Sequence, residues 1–212
     1  MNTSLILESL AAVQRAILAN EAHIESLDRA IGDGDHFINV RRGCEVLVAM
    51  SPDLQGAPPA VALQKIGLKL LGTIGGASGP LISSFFLSMG KAVEGMAEPD
   101  RHQFAQAFAA GVEAIKTRGK ADVGEKTMLD VLIPAARLLQ RLVDEDAPLA
   151  SLCGQMKEEA ERNMLATKDM IATKGRAYFL GERALGHIDP GSKTCEVAIR
   201  AVCDTVAAKE LA

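Results

Sequence analysis

The sequence predicts an all-α protein, an up-and-down barrel or bundle of about eight antiparallel helices. Three observations carry this. Apolar residues recur at helical spacing along most of the chain, and almost no stretch alternates as a half-buried strand would. The core has to be aliphatic, because the 212 residues include six Phe, one Tyr and no Trp, and Ala- and Leu-rich composition favours helix. Glycine gathers in four loops between the periodic stretches. A doubly wound α/β sheet is the competing architecture, and the Val/Ile strand runs it needs are missing.

The elements follow in order. Ser4 caps a first helix with Leu7, Leu10, Ala11, Ile17 and Leu18 on its apolar side, and a second short one carries Ile24 and Leu27. A third runs from about Asn39 to Met50 and stops at Ser51-Pro52. Pro58-Pro59 opens a helix through Leu70-Leu71, a usual place for proline. Pro80 starts another through Phe85, Phe86 and Met89, and Asp100 begins the next, through Phe104, Phe108, Val112 and Ile115. Thr127 opens a helix with Leu129, Leu132, Leu138 and Leu142, and Pro148 one that ends near Met170. The last spans about Gly191 to Ala207. Short connections make successive helices antiparallel neighbours. No linker, repeat or low-complexity run divides the chain, so residues 1–212 are expected to form a single domain.

Bulk properties exclude several classes. With a net charge of −4 the chain lacks the basic face a nucleic-acid binder needs, and Lys116-Thr117-Arg118-Gly119-Lys120 is too short to track a phosphate backbone. Cys44, Cys153, Cys195 and Cys203 form no Cys-x-x-Cys pair, and they read as small core residues in a reducing compartment. The start Met1-Asn2-Thr3-Ser4 is not basic and no run of 18 apolar residues occurs, so the expectation is a cytoplasmic chain that neither enters nor crosses a membrane.

The segment Leu27-Asp28-Arg29-Ala30-Ile31-Gly32-Asp33-Gly34-Asp35-His36 is the most informative. Three aspartates within eight residues repel one another unless a cation stands among them, and hard oxygen donors suit Mg²⁺ or Ca²⁺ rather than zinc. The two glycines let the backbone turn so that carboxylates from both sides converge. As residues alone the segment is equally an exposed acidic turn. An EF-hand is excluded: counted from Asp33, the positions that need Gly and Glu hold Ile38 and Cys44.

Gly75-Gly76-Ala77-Ser78-Gly79-Pro80 precedes an apolar helix, whose N-terminal amides suit an anion; a tight interhelical turn is the other reading. Gly119-Lys120-Ala121-Asp122-Val123-Gly124-Glu125-Lys126-Thr127 nearly spells a Walker A loop, but Glu125 separates the second glycine from the lysine, and the preceding residues read as helix. A P-loop is rejected. The aperiodic stretch from Gly175 to Gly191 reads as a lid or binding loop whose Arg176 and Arg183 can grip phosphate, or as a loop with two surface arginines. Because alternate loops of an up-and-down bundle share one end, the four glycine loops can meet at one rim.

Taken together and in order, these motifs resemble the nucleotide-binding subunit of bacterial dihydroxyacetone kinase of the phosphotransferase-linked type. The resemblance rests on Leu-Asp-x-x-Ile-Gly-Asp-Gly-Asp-His at 27–36, Gly-Gly-Ala-Ser-Gly-Pro at 75–80 and Arg-Gly-Lys-Ala-x-x-Gly-x-Lys-Thr-Met at 118–128. Gly-Arg-Ala at 175–177, Leu-Gly-Glu-Arg at 180–183 and Gly-His-x-Asp-Pro-Gly at 186–191 complete it. It implies a barrel of eight helices with ADP or ATP at one rim, and two Mg²⁺ ions on Asp28, Asp33 and Asp35. By the same carry-over, His36, Phe37, Ile38, Asn39, Ala77, Ser78, Gly119, Met128, Arg176, Asp189, Pro190 and Gly191 lie against the nucleotide. It further implies a partner subunit that holds the ketose on a histidine, and a phosphotransferase-type subunit that recharges bound ADP.

The sequence departs from the family pattern at three places. Phe37 stands where Gly is usual, Glu125 where Asp is usual, and Tyr178-Phe179 where Ser-Tyr is common. The departures leave open the phosphate donor, ATP or a phosphotransferase system, and the sugar, another short ketose or a tetrose included. A non-catalytic nucleotide sensor docked on a transcription regulator, and a homodimer, are further assemblies the sequence allows.

Overall fold

The computed structural model describes residues 1–76 and 78–210. Among them are ten α-helices, two 3-10 segments and no strand. Eight long helices make the wall: α1 (Thr3–Ala19), α3 (His36–Ala49), α5 (Pro59–Leu71), α6 (Ser78–Ala92), α7 (Arg101–Gly119), α8 (Leu129–Asp144), α9 (Leu149–Ala166) and α10 (Pro190–Glu210). Two are short additions: α2 (Glu21–Ile31) extends α1 past a turn at Asn20, and α4 (Ser51–Leu54) fills a corner after α3. Each wall helix packs on the next in sequence, and α10 returns to pack on α1, which closes the ring. The all-α, up-and-down expectation therefore holds.

Closure explains the aliphatic composition. A helix in a ring buries one broad stripe, and here the stripes meet in two main clusters. One joins α7 to α10 through Ile115, Leu132, Leu139, Leu142, Met156 and Cys203. The other joins α1, α3, α5 and α6 through Ile6, Leu47, Leu63, Ile66 and Met89. Each such fully buried side chain is worth about 1.5–3 kcal/mol. Cys195 and Cys203 both lie on α10 as small packing residues, and burial pushes the Cys195 thiol up to about 12.

Helix ends differ from the sequence reading by a few residues, for local reasons. Asn2, not Ser4, caps α1: its side chain accepts from the Leu5 amide, while the Ser4 hydroxyl donates to Glu8. Asp100 and Gln103 form a reciprocal capping box on α7, as the start at Asp100 suggested. Helix α3 begins at His36, three residues before the expected start at Asn39, because the Asp28 carboxylate accepts the His36 amide and caps it from outside. Helix α6 begins at Ser78 rather than Pro80. Helix α9 stops at Ala166 and passes into the 3-10 turn Thr167–Asp169. The aperiodic stretch from Gly175 contains a 3-10 segment, Arg176–Ala184.

The alternation sorts the loops. The N-terminus, 55–58, 93–100 and 145–148 gather at one end, where Thr3 Oγ1 donates to the Ala57 carbonyl and Arg101 pairs with Asp146. The four glycine-bearing loops fall at the other.

Glycines within helices set how closely the wall packs. A Cβ at Gly90 would stand 3.0 Å from the Ala60 carbonyl oxygen and 3.2 Å from the Gln64 nitrogen, both backbone atoms of α5. A Cβ at Gly154 on α9 would meet nothing within 4 Å. The same substitution is therefore expected to act with opposite sign. Gly154→Ala should gain about 0.5–1 kcal/mol from helix propensity. Gly90→Ala should lose about 1 kcal/mol, because overpacking outweighs propensity. Urea melts of both variants check this; equal shifts would show that α5 and α6 do not approach as described.

Candidate functional site

The acidic loop lies between α2 and α3. Asp28 on the last turn of α2 is 4% exposed, and its Oδ2 accepts the His36 amide at 3.0 Å. Its Oδ1 lies so close over the chain that a Cβ at Gly32 would be 1.8 Å away, so only glycine leaves the carboxylate room. Gly34 turns with φ +82°, and the chain enters α3 at once.

Asp33 and Asp35 stand beside each other in the exposed part of the loop. Partial burial, and then the neighbouring Asp33 carboxylate, push the Asp35 carboxyl above its ordinary value; the Asn39 amide and the charge on Arg176 act against this more weakly. Arg176, from the far loop, pairs with Asp33 at 2.8 Å. Among the described residues no three His, Cys, Asp or Glu side chains form a ready-made metal group. The donor set nevertheless fits a hard divalent cation: two adjacent carboxylates repel one another, and the oxygen Asp28 leaves uncapped sits in a cradle that a Cβ would fill.

His36 joins this loop to α10. Its Nε2 lies 2.8 Å from Thr194 Oγ1, whose single proton goes to the Pro190 carbonyl at 3.0 Å. The threonine oxygen therefore accepts, and Nε2 carries the ring proton. Burial holds the imidazole below its usual range although Asp28 and Asp35 pull it up, so it is neutral near pH 7. The His36 backbone amide and its ring Nε2 are thus both engaged within the protein.

The other expected residues divide. The Phe37 side chain turns inward, 1% exposed, and packs with Ile17, Ile24 and Val197 under the Arg41 guanidinium. The bulk that replaces the family's glycine is thus absorbed by the core rather than presented to the loop. Ile38 is exposed and Asn39 half-buried, close to Gly75. Ala77 lies outside the described residues. Ser78 Oγ donates to the Gly75 carbonyl, and a Cβ at Gly79 would be 2.2 Å from the Ile74 carbonyl oxygen, so the head of α6 folds tightly over its own loop. Gly119 ends α7 beside Leu81 of α6. Met128 precedes α8 and lies against Gly191. Asp189 caps α10 by accepting the Ser192 amide at 2.7 Å, and burial pushes its carboxyl up to about 6. Pro190 takes the first position of α10.

Residues that sequence reasoning passed over hold these pieces together. Asp130, 1% exposed, accepts the Gly124 amide and the Thr127 amide. Ser192 Oγ donates to the Thr127 carbonyl at 2.8 Å, and Thr167 Oγ1 accepts the Asp189 amide at 3.0 Å. Lys126 is buried with them. The spacing Thr127-x-x-Asp130 is a helix-start signal that could have flagged Asp130; nothing local marks Thr167, Ser192 or Thr194.

A helical ring carrying an acidic, glycine-framed rim defines a class, and the comparison with known proteins agrees. The DAK2 domain matches residues 30–204, and this chain belongs to that family. It is 37% identical over 191 residues to the ADP-binding subunit of PEP-dependent dihydroxyacetone kinase 2 from Listeria innocua, covering 87% of this chain and 86% of the relative. It is also 37% identical over 203 residues to the ADP-binding subunit of the PTS-dependent dihydroxyacetone kinase of Lactococcus lactis, covering 95% and 96%. Among solved structures it resembles the dihydroxyacetone kinase from C. freundii in complex with AMP-PNP and Mg²⁺, with a TM-score of 0.73 and 26% identity. That likeness covers 95% of this chain and 34% of the kinase, so the chain spans about a third of it. Among the described residues no helix is long and apolar enough to cross a membrane.

Asp33→Ala removes one member of the repelling pair and one exposed ion pair worth under about 1 kcal/mol. Without divalent ions the variant is expected to keep its helical circular dichroism, and its urea stability should change by less than about 1 kcal/mol. A larger loss would make Asp33 a structural residue.

Proposed function

We propose that this chain is the ADP/ATP-binding subunit of a dihydroxyacetone kinase, a single domain over residues 1–212 acting in the cytoplasm. The observation that carries the reading is the Asp28, Asp33 and Asp35 loop, set at the rim where the glycine loops of a DAK2-family ring gather. The names of the relatives and the AMP-PNP and Mg²⁺ complex of the C. freundii kinase support the choice of ligand.

In this reading Asp28, Asp33 and Asp35 hold two Mg²⁺ ions. Bound there, Mg²⁺ would offset the charge that develops on the transferring phosphoryl group. The rest falls to the chain's own groups. The first turn of α6, from Ser78, offers amides and a favourable dipole to phosphate oxygens. Arg176 already reaches the acidic loop and turns from Asp33 to the phosphates when cations neutralise the carboxylates. Backbone and side chains of His36 to Asn39, Ala77, Gly119, Met128 and Asp189 to Gly191 frame the nucleotide; Phe37 contributes only its backbone, since its ring is buried. The Gly175–Gly191 loop closes over the site, limiting loss of the phosphoryl group to water.

The groups gathered at this rim are phosphate and metal ligands, and in this reading the ketose comes on a partner subunit that presents its hydroxyl to the γ-phosphate. The PEP- and PTS-dependent names of the relatives favour a phosphotransferase-type donor that recharges ADP in place, making the nucleotide a resident cofactor.

The isolated chain with Mg-ATP and dihydroxyacetone is expected to form no dihydroxyacetone phosphate, and turnover should begin when the ketose-binding subunit is added. A coupled assay of the product measures this. Robust turnover by the chain alone would refute the split site; silence in both mixtures with tight nucleotide binding would favour a nucleotide sensor.

A further inference from the structure

Lys126 sits in the segment that nearly spells a Walker A loop, where a lysine would reach outward to phosphate. Here it points the other way. Lys126 is 1% exposed, and its ammonium donates to the carbonyl oxygens of Thr167 and of His187, each at 2.6 Å. Those carbonyls flank one loop from both sides. The loop leaves the wall after α9, carries Arg176, Tyr178, Phe179 and Arg183, and returns to α10. Its neck is narrow, because the Gly186 amide donates to the Lys168 carbonyl at 2.9 Å, so the excursion is closed at its base. One buried charge staples the neck.

The neighbours of Lys126 hold it in that pose. Lys126 has φ +59°, a backbone conformation that L side chains rarely adopt. Asp130 fixes it by accepting the amides on either side, those of Gly124 and Thr127. Glu125 adds a second tie: its carbonyl accepts the Thr173 amide at 3.3 Å, and its Oε1 accepts the Thr173 hydroxyl at 2.9 Å. Burial lowers the lysine's pKa, while Asp189, Asp169 and Asp130 oppose the fall.

We propose that Lys126 is a positioning residue: by stapling the neck of the 167–187 loop it fixes Arg176 over the acidic loop and Asp189 to Gly191 at the head of α10, without touching phosphate itself. The inference rests on the nucleotide reading above for its consequence, but the staple exists independently of it.

Two variants test it. Lys126→Met removes the charge, and Thr173→Val removes the hydroxyl half of the Glu125 tie at an exposed position, leaving the amide bond in place. Trypsin cleavage after Lys174, Arg176 and Arg183 is followed in nucleotide-free protein, and methylanthraniloyl-ADP with Mg²⁺ is followed by stopped flow. Lys126→Met is expected to be cleaved in this loop about tenfold faster than wild type, with a smaller rise for Thr173→Val. The ADP analogue should dissociate about tenfold faster from Lys126→Met, with its association rate little changed, a split that general destabilisation does not produce. Unchanged loop cleavage and dissociation in folded Lys126→Met would overturn the proposal. If that variant does not fold, the same two readings are taken on Lys126→Gln, which keeps a polar head but loses the charge and the reach to both carbonyls, and unchanged values there would do so. Because cleavage is read without nucleotide, it decides the staple even where the wild-type chain binds no nucleotide, an outcome that would count against the proposed function instead.

Discussion

Asp33 and Asp35 face each other across a single glycine, and like charges so confined raise the free energy of the ionised loop until a cation joins them. The arrangement at this rim can be understood from that constraint. Asp28 is fixed below the pair by the His36 amide, and its free oxygen occupies the space Gly32 leaves open. Arg176 crosses from the opposite loop to Asp33 and brings positive charge to the pair. A protein that only needed a turn between α2 and α3 would have no use for this concentration of charge, whereas one that gathers divalent ions and phosphates has a direct use for it.

The ring serves the loop by geometry. Successive helices alternate direction, so connections far apart in sequence arrive at one end. Rigid walls then keep the glycine-rich loops well placed, since their ends are fixed by packed helices. The hydrogen bonds among Thr127, Thr167, Asp189 and Ser192 join the starts of α8 and α10 to the end of α9, and His36 with Thr194 joins α3 to α10. Order at the rim therefore comes from polar bonds between loops together with a small apolar cluster of Ile31, Ala172, Ala177 and Ala184, while the larger aliphatic clusters supply stability lower down.

Much of this was legible in the sequence because it is periodic or local. The apolar stripes of α1, α5, α7, α8 and α10 announce themselves at helical spacing, and the prolines at 58, 59 and 148 mark real starts. The acidic loop was legible from residue type alone. The start of α3 was not, because its cap comes from Asp28, eight residues back and on another helix. Phe37 read only as a departure from the family's glycine, and packing on Ile17, Ile24 and Val197 shows where its ring goes. Lys126 was discounted along with the failed P-loop; the carbonyls it binds, at Thr167 and His187, are more than forty residues away, and no local pattern records such a bond.

The central claim is that the carboxylates of the α2–α3 loop bind nucleotide through divalent cations rather than by direct contact. Isothermal titration of ADP into the wild-type chain, once with excess Mg²⁺ and once with excess chelator, tests it most directly. The account requires measurable binding with Mg²⁺ and none with chelator. Equal affinity in the two titrations would contradict it.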